Sequence, residues 1–202
     1  MGPGAVVEQV YLIRHGQTSW SLSGQHTGRT DLPLTEQGEQ QARQLGALLH
    51  AISFSQVLVS PMQRARRTCE LAGFGAQARI DPLLHEWDYG DYEGLTRAQI
   101  QATRPQWDVF RDGCPGGESP EQVSARADQI LAQAQAMPGR VALFSHGHLL
   151  RALAVRWIEL SIQAGLHFGL DAGSLSALGY EHGSALEPAI ELWNQRPLRV
   201  DA

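Results

Sequence analysis

Four short segments carry residues able to act on a phosphoryl group. Arg14 and His15 stand in LIRHGQT, Arg64 in SPMQRARRT, Glu86 in HEWDYG and His146 in FSHGH. Two guanidinium forks match a phosphate dianion, and each can bind it in bidentate fashion. An imidazole in such a pocket can attack phosphorus in line. That is covalent catalysis through a phosphohistidine, and it needs no metal ion. A second imidazole, if protonated, stabilises the equatorial oxygens as charge builds. The leaving alkoxide needs a proton. Glu86, in a loop beside Trp87 and Tyr89, is the best-placed acid, because an aromatic, partly dry setting keeps a carboxyl protonated for general-acid work.

Taken singly, none of these residues carries the argument. A histidine at a strand end is more often structural. Arg64 shares its run with Arg66 and Arg67, which without context reads as a solvated helix face. Glu86 alone is a loop acid. His148 reads as a helix-start residue, and His26, His50, His85, His167 and His182 gain no catalytic role from spacing. Order and context combined make the case.

The elements that must position this set are legible from pattern. Val6 to Ile13, Gln56 to Ser60 and Val141 to Ser145 are short apolar runs, the signature of strands buried on both faces. Thr35 can cap a helix carrying Leu45, Leu48, Leu49 and Ile52 at helical spacing. Pro61 suits a first helical position, and a helix follows to Gly73. Arg79 to Leu84 suggests a short strand, and Thr96 to Thr103 a helix. Ser119 and Pro120 open a long helix to Met137, and His148 to Leu160 is helical. Ser174 to Glu181 and Ile190 to Trp193 can close a sheet. Residues 85 to 118 are weakly periodic and read as a small inserted, mostly surface segment. Strands alternating with helices predict an α/β fold, with a mainly parallel sheet flanked by helices in three layers. Sites in such folds lie just beyond the carboxyl ends of strands. Here two of the three clearest strands run into His15 and His146, and the third into Ser60-Pro61.

Composition removes other classes. The chain has 202 residues, and all 16 basic side chains are arginine. Schiff-base chemistry, a P-loop and a kinase strand lysine are therefore excluded. The net charge of −5 argues against a nucleic-acid partner. Cys69 and Cys114 are too few for a disulfide framework or a thiolate zinc site. No apolar run reaches 18 residues, so no membrane span is expected. The N-terminal stretch MGPGAVVEQ lacks signal-peptide character, and a reduced cytoplasm is the expected compartment. Length favours one domain over residues 1–202.

The order LIRHGQT, SPMQRARRT, HEWDYG, FSHGH resembles the histidine phosphatase superfamily, also called phosphoglycerate mutase-like. The resemblance spans about residues 6 to 157. It implies an α/β sandwich, a phosphohistidine intermediate and no metal or other cofactor. By the same resemblance His15 is the nucleophile, Arg14, Arg64 and His146 hold the phosphate, and Glu86 donates the proton. The turn Gln25, His26, Thr27 and Gly28 belongs to the pocket. RHGQTSWSLSGQHTGRTDLPLT, EWDYGDYEGLT and DAGSLSALGYEH further resemble a branch of sugar-bisphosphate phosphatases and bacterial acid phosphatases. That likeness places Trp87, Asp88, Tyr89 and Ser174 near the substrate. It implies a hydrolase of small phosphorylated metabolites, either sugar phosphates or bisphosphates.

Three other readings stand beside it. A phosphoglycerate mutase would need its site sealed from water, and TRPQWDVFRDGCPGGES is short and lacks paired arginines. Arg104 and Arg111 could still meet a second anionic group. A metallohydrolase could use His146-Gly-His148 as a two-histidine metal pair. A non-catalytic phospho-ligand binding protein would keep the fold without turnover. Oligomeric state is left open, and a homodimer is compatible.

Overall fold

The computed structural model describes residues 7–197. Val6, the expected first strand residue, lies outside them. The first strand, β1 (Val7–Arg14), leads into a one-turn helix, α1 (Ser19–Ser23), and then α2 (Glu36–Leu49). Next come β2 (Gln56–Val59), α3 (Gln63–Leu71) and β3 (Ala78–Ile80). Short helices α4 (Arg97–Thr103) and α5 (Val109–Asp112) precede the long α6 (Pro120–Gln135). The chain closes with β4 (Gly139–Ser145), α7 (Gly147–Trp157), β5 (Leu175–Tyr180) and β6 (Pro188–Gln195).

The strands form one sheet in the order β3-β2-β4-β1-β5-β6. The first four run parallel, and β5 and β6 are antiparallel additions at one edge. Side chains alternate across a strand, so β1 feeds two cores. Val10 and Leu12 pack with α6, α7 and residues 84–114. Tyr11 and Ile13 pack with α2 and α3 on the other face. The result is the expected three-layer α/β sandwich.

Capping residues set the helix starts. Thr35 accepts from the Gly38 N–H, and Ser119 and Thr96 each form a capping box, with Gln122 and Gln99. Two local expectations are corrected. Pro61 is not the first helical residue: Met62 is the N-cap and α3 begins at Gln63. The strand expected over 79–84 ends at Ile80, because Asp81 caps a 3₁₀ turn opened by Pro82. The segment 85–118 also sends Trp87, Tyr89, Trp107 and Phe110 into the larger core. Trp87, Tyr89 and Trp107 sit in irregular backbone, which hides the periodicity by which such burial is recognised in sequence.

Candidate active site

Strand register assembles the centre. Strand β1 pairs with β4 so that Arg14 faces Ser145. The next residue on each strand is a histidine, and the rings of His15 and His146 lie 5.1 Å apart. The His15 N–H donates to the Ser145 carbonyl at 3.0 Å, and the Ser60 N–H to Phe144 at 3.0 Å. Three parallel strand ends therefore meet at one point. Close backbone approach holds the His15 turn against α2: a Cβ on Gly16 would lie 2.3 Å from the Gly38 carbonyl.

His15 is buried and its tautomer is set locally. Nδ1 donates to the Gly16 carbonyl at 2.7 Å, which leaves Nε2 as the nitrogen with a lone pair. Burial, then Arg64 and Arg14, push its pKa well below that of a free imidazole. The ring is thus neutral and nucleophilic in weakly acidic solution. It lies with Arg14, Glu86 and Tyr89 on a pocket of about 180 Å³ that also takes in Gln25, His26 and Thr27.

The two arginines differ in what they have left to give. Arg64 is fully buried. Its Nε donates to His146 Nδ1 at 3.1 Å, and its terminal nitrogens donate to the carbonyls of Thr30, Thr27 and Gly28 at 3.0 to 3.1 Å. Arg14 donates to the Leu170 carbonyl, but its buried Nε has no partner. A buried guanidinium nitrogen without an acceptor beside a neutral histidine suits an anion. The expectation of two open forks is therefore corrected: Arg14 is open to the pocket, and Arg64 is bound to the 27–30 loop.

His146 also departs from expectation. It is fully buried and does not line the pocket. Nδ1 accepts from Arg64, so Nε2 carries the hydrogen and donates to Ser60 Oγ at 2.7 Å. Burial and the Arg64 charge hold its pKa far below the free value. It is neutral, not the protonated imidazole anticipated. Both nitrogens are engaged, so His146 and His148 do not present two free imidazoles to one point.

Glu86 is buried at the start of α7. Oε1 accepts from the Trp87 and Leu149 N–H groups at 2.9 Å, and Oε2 from the His148 N–H at 3.0 Å. These polar donors replace the dry, aromatic surroundings expected of the loop. They fix the carboxyl at the pocket wall, with a lone pair on Oε2 to spare.

The remaining expected residues divide. Gly28 stands behind the pocket, donating to the Glu93 carboxylate while its carbonyl takes Arg64. Trp87 faces the core, with Nε1 on the Glu118 carbonyl at 2.9 Å. Asp88 pairs with Arg29 at 2.6 Å and accepts from the Gly90 N–H. Ser174 is buried and donates to the Asp171 carbonyl. None of these four lines the pocket, because sequence neighbours in irregular loops face opposite ways. Arg104 and Arg111 lie on the surface against Tyr92 and Asp112. The pocket has lining residues that spacing did not single out: Ser21, His148 and Arg151. His148 and Arg151 are three apart on α7, the separation that puts two side chains on one helix face. That spacing was the available signal.

A neutral histidine with a free Nε2, a guanidinium with an unpartnered buried Nε and a carboxyl thus share one pocket. Residues 10–196 match the model of the histidine phosphatase superfamily (branch 1). The chain belongs to that superfamily. It is 44% identical to an acid phosphatase of Mycobacterium tuberculosis, over 87% of this chain and 88% of the relative. It is 34% identical to the sedoheptulose 1,7-bisphosphatase of Saccharomyces cerevisiae, over 90% of each. A probable phosphoglycerate mutase of Salmonella choleraesuis is 34% identical, over 88% of this chain and 87% of the relative. A solved M. tuberculosis open reading frame product superposes with a TM-score of 0.88 at 38% identity, covering 95% of this chain and 99% of that one. Among the described residues, no helix is long and apolar enough to cross a membrane.

Proposed function

We propose that this protein hydrolyses small phosphomonoesters, sugar phosphates or bisphosphates, through a phosphohistidine on His15. The observation that carries the reading is the unpartnered Arg14 Nε beside a His15 ring whose Nδ1 is tied to Gly16. The phosphoryl oxygens take Arg14, and Nε2 attacks phosphorus opposite the ester oxygen. The P–O bond breaks, the P–N bond forms, and Glu86 gives its proton to the departing alkoxide. Glu86 then takes a proton from water as water attacks the phosphohistidine, releasing inorganic phosphate and restoring His15. Arg64 and His146 support this chemistry by holding the 27–30 loop and the charge around His15 in place.

A sugar bisphosphate finds a second cation in the same pocket. Arg151 lines it, with its guanidinium over the Phe110 ring at 4.6 Å and donating to the Gly165 carbonyl. It is a cation available to a second anionic group. Water is the acceptor rather than a second sugar hydroxyl, because Arg104 and Arg111 stand outside the pocket and close nothing over it. Localisation in the cytoplasm accords with substrates of this class.

The test is phosphate release from a panel of phosphomonoesters in excess chelator, ranked by kcat/KM. Turnover of sugar phosphates with EDTA present is expected. Activity that vanishes with EDTA and returns with metal overturns the proposal. Isomerisation of 3-phosphoglycerate outpacing phosphate release would favour the mutase reading.

A further inference from the structure

The pocket holds two imidazoles that the phosphoryl chemistry does not use. His26 and His148 both line it, their rings nearly parallel at 11° with centroids 5.9 Å apart. Each has its Nδ1 tied to the protein, and the two ties are of opposite kind. His26 Nδ1 meets the Leu95 carbonyl at 2.7 Å. A carbonyl can only accept, so this nitrogen carries the hydrogen and Nε2 is left as an acceptor. His148 Nδ1 meets the Tyr89 hydroxyl at 2.5 Å. That buried hydroxyl has no other hydrogen-bond partner among the described residues, so its one proton goes to His148. Nδ1 is then an acceptor, and His148 carries its hydrogen on Nε2.

Aromatic packing fixes both rings. The His26 ring stands 4.8 Å from Tyr89 and 5.4 Å from Trp107, and the His148 ring 5.4 Å from Phe110. An acceptor and a donor of fixed position, side by side, match one chemical group best. A hydroxyl can give its proton to one nitrogen and take a hydrogen bond from the other. A carboxylate finds no donor at His26, and a methylene satisfies neither ring.

We propose that His26 and His148 form a hydroxyl-reading pair at the leaving-group end of the pocket, selecting phosphomonoesters whose alcohol bears a free hydroxyl near the ester carbon. This rests on the phosphatase reading and names the substrate feature that its site recognises. Both are binding residues, since neither is asked to move a proton in the reaction. Losing the substrate hydroxyl leaves two polar nitrogens unpaired, the situation in which sites discriminate strongly.

Two measurements test it. The first is nitrogen-edited NMR of the histidine side chains in the wild-type protein near neutral pH. His26 is expected to be protonated on Nδ1 and His148 on Nε2, and the opposite tautomer at either ring overturns the pairing. The second compares glycerol 3-phosphate with propyl phosphate, which lacks the hydroxyls. The wild type is expected to favour the former in kcat/KM by roughly tenfold or more. His26→Phe and His148→Phe should bring that ratio to within about twofold of unity, on the same scale of discrimination. Equal turnover of both esters by the wild type overturns the hydroxyl pair alone. Turnover of neither overturns the hydrolase reading and this selectivity with it. The wild-type tautomers and ratio need no variant, so misfolding of a Phe variant does not remove the test.

Discussion

Arg64 and His146 are joined directly: the guanidinium Nε donates to the ring Nδ1 at 3.1 Å, and both side chains are fully buried. That bond turns a pair expected to grip substrate into a brace. Arg64 also spans to three carbonyls of the 27–30 loop. The loop carries Thr27 on the pocket wall, so the brace sets the pocket's shape from below.

Arg64→Met should therefore act first on stability. It strips a donor from His146 and from the carbonyls of Thr27, Gly28 and Thr30. Each orphaned buried group costs on the order of 1–3 kcal/mol. We expect a total loss of about 3 kcal/mol or more on that scale, read from urea unfolding, with activity falling as a consequence. Arg64→Lys should recover little of it, because an ammonium cannot reproduce the fork. A variant of unchanged midpoint would show that the brace carries no stability.

Arg14→Met should behave in the opposite way. Arg14 has a protein acceptor at Leu170 but an unpartnered Nε, so the folded protein loses little while the anion loses its donor. Phosphate should raise the melting temperature of the wild type by mass action and raise that of the variant far less. Equal protection of both proteins would remove Arg14 from the phosphate site.

His15→Ala should reduce phosphate release by at least about 10³-fold, since the covalent route is gone. Rapid acid quench of the wild type with labelled substrate should not preserve the phosphoenzyme, whereas alkaline quench should. A phosphoenzyme surviving acid would place the phosphoryl group elsewhere.

Glu86→Gln separates proton donation from phosphoryl transfer. Alkyl phosphates, whose leaving groups need a proton, should slow by about 10²–10⁴-fold. Aryl phosphates with acidic phenols should slow much less. Equal losses on both classes would mean that Glu86 serves mainly to hold the start of α7.

The histidines couple stability to pH. His15, His146 and His148 all have pKa values pushed well below the free value, chiefly by burial, and His26 is lowered for the same reason. Below pH 6.5 the unfolded chain therefore binds protons that the folded chain refuses. Stability should be fully present above the unfolded value and fall as pH drops through it. The slope is about 1.4 kcal/mol per pH unit for each such histidine. The acid limb of kcat/KM should likewise lie below pH 6.5, because His15 stays neutral there. Thermal melts across pH 5 to 8 check the first expectation and a rate profile the second. A melting temperature that rises toward pH 5 would contradict the burial of neutral imidazoles.

Much of this protein was legible in order and spacing. The buried strands that deliver His15 and His146, the helix starts at Thr35 and Ser119 and the mainly parallel sheet all follow from local pattern. Hydrophobic periodicity and capping act over a few residues, and the family resemblance rests on short contiguous blocks. Partners, tautomers and facing depend on groups far apart in the chain. Only the fold decided that Arg64 binds its own loop while Arg14 stays open, or that His146 is neutral between Arg64 and Ser60. It also turned Trp87 inward and brought His148 and Arg151 into the pocket beside the expected His26. Residues 85–118 show the reason most plainly. Outside α4 and α5 their backbone has no repeating geometry, so there neither burial nor direction is encoded in spacing, and both are fixed by what packs against them.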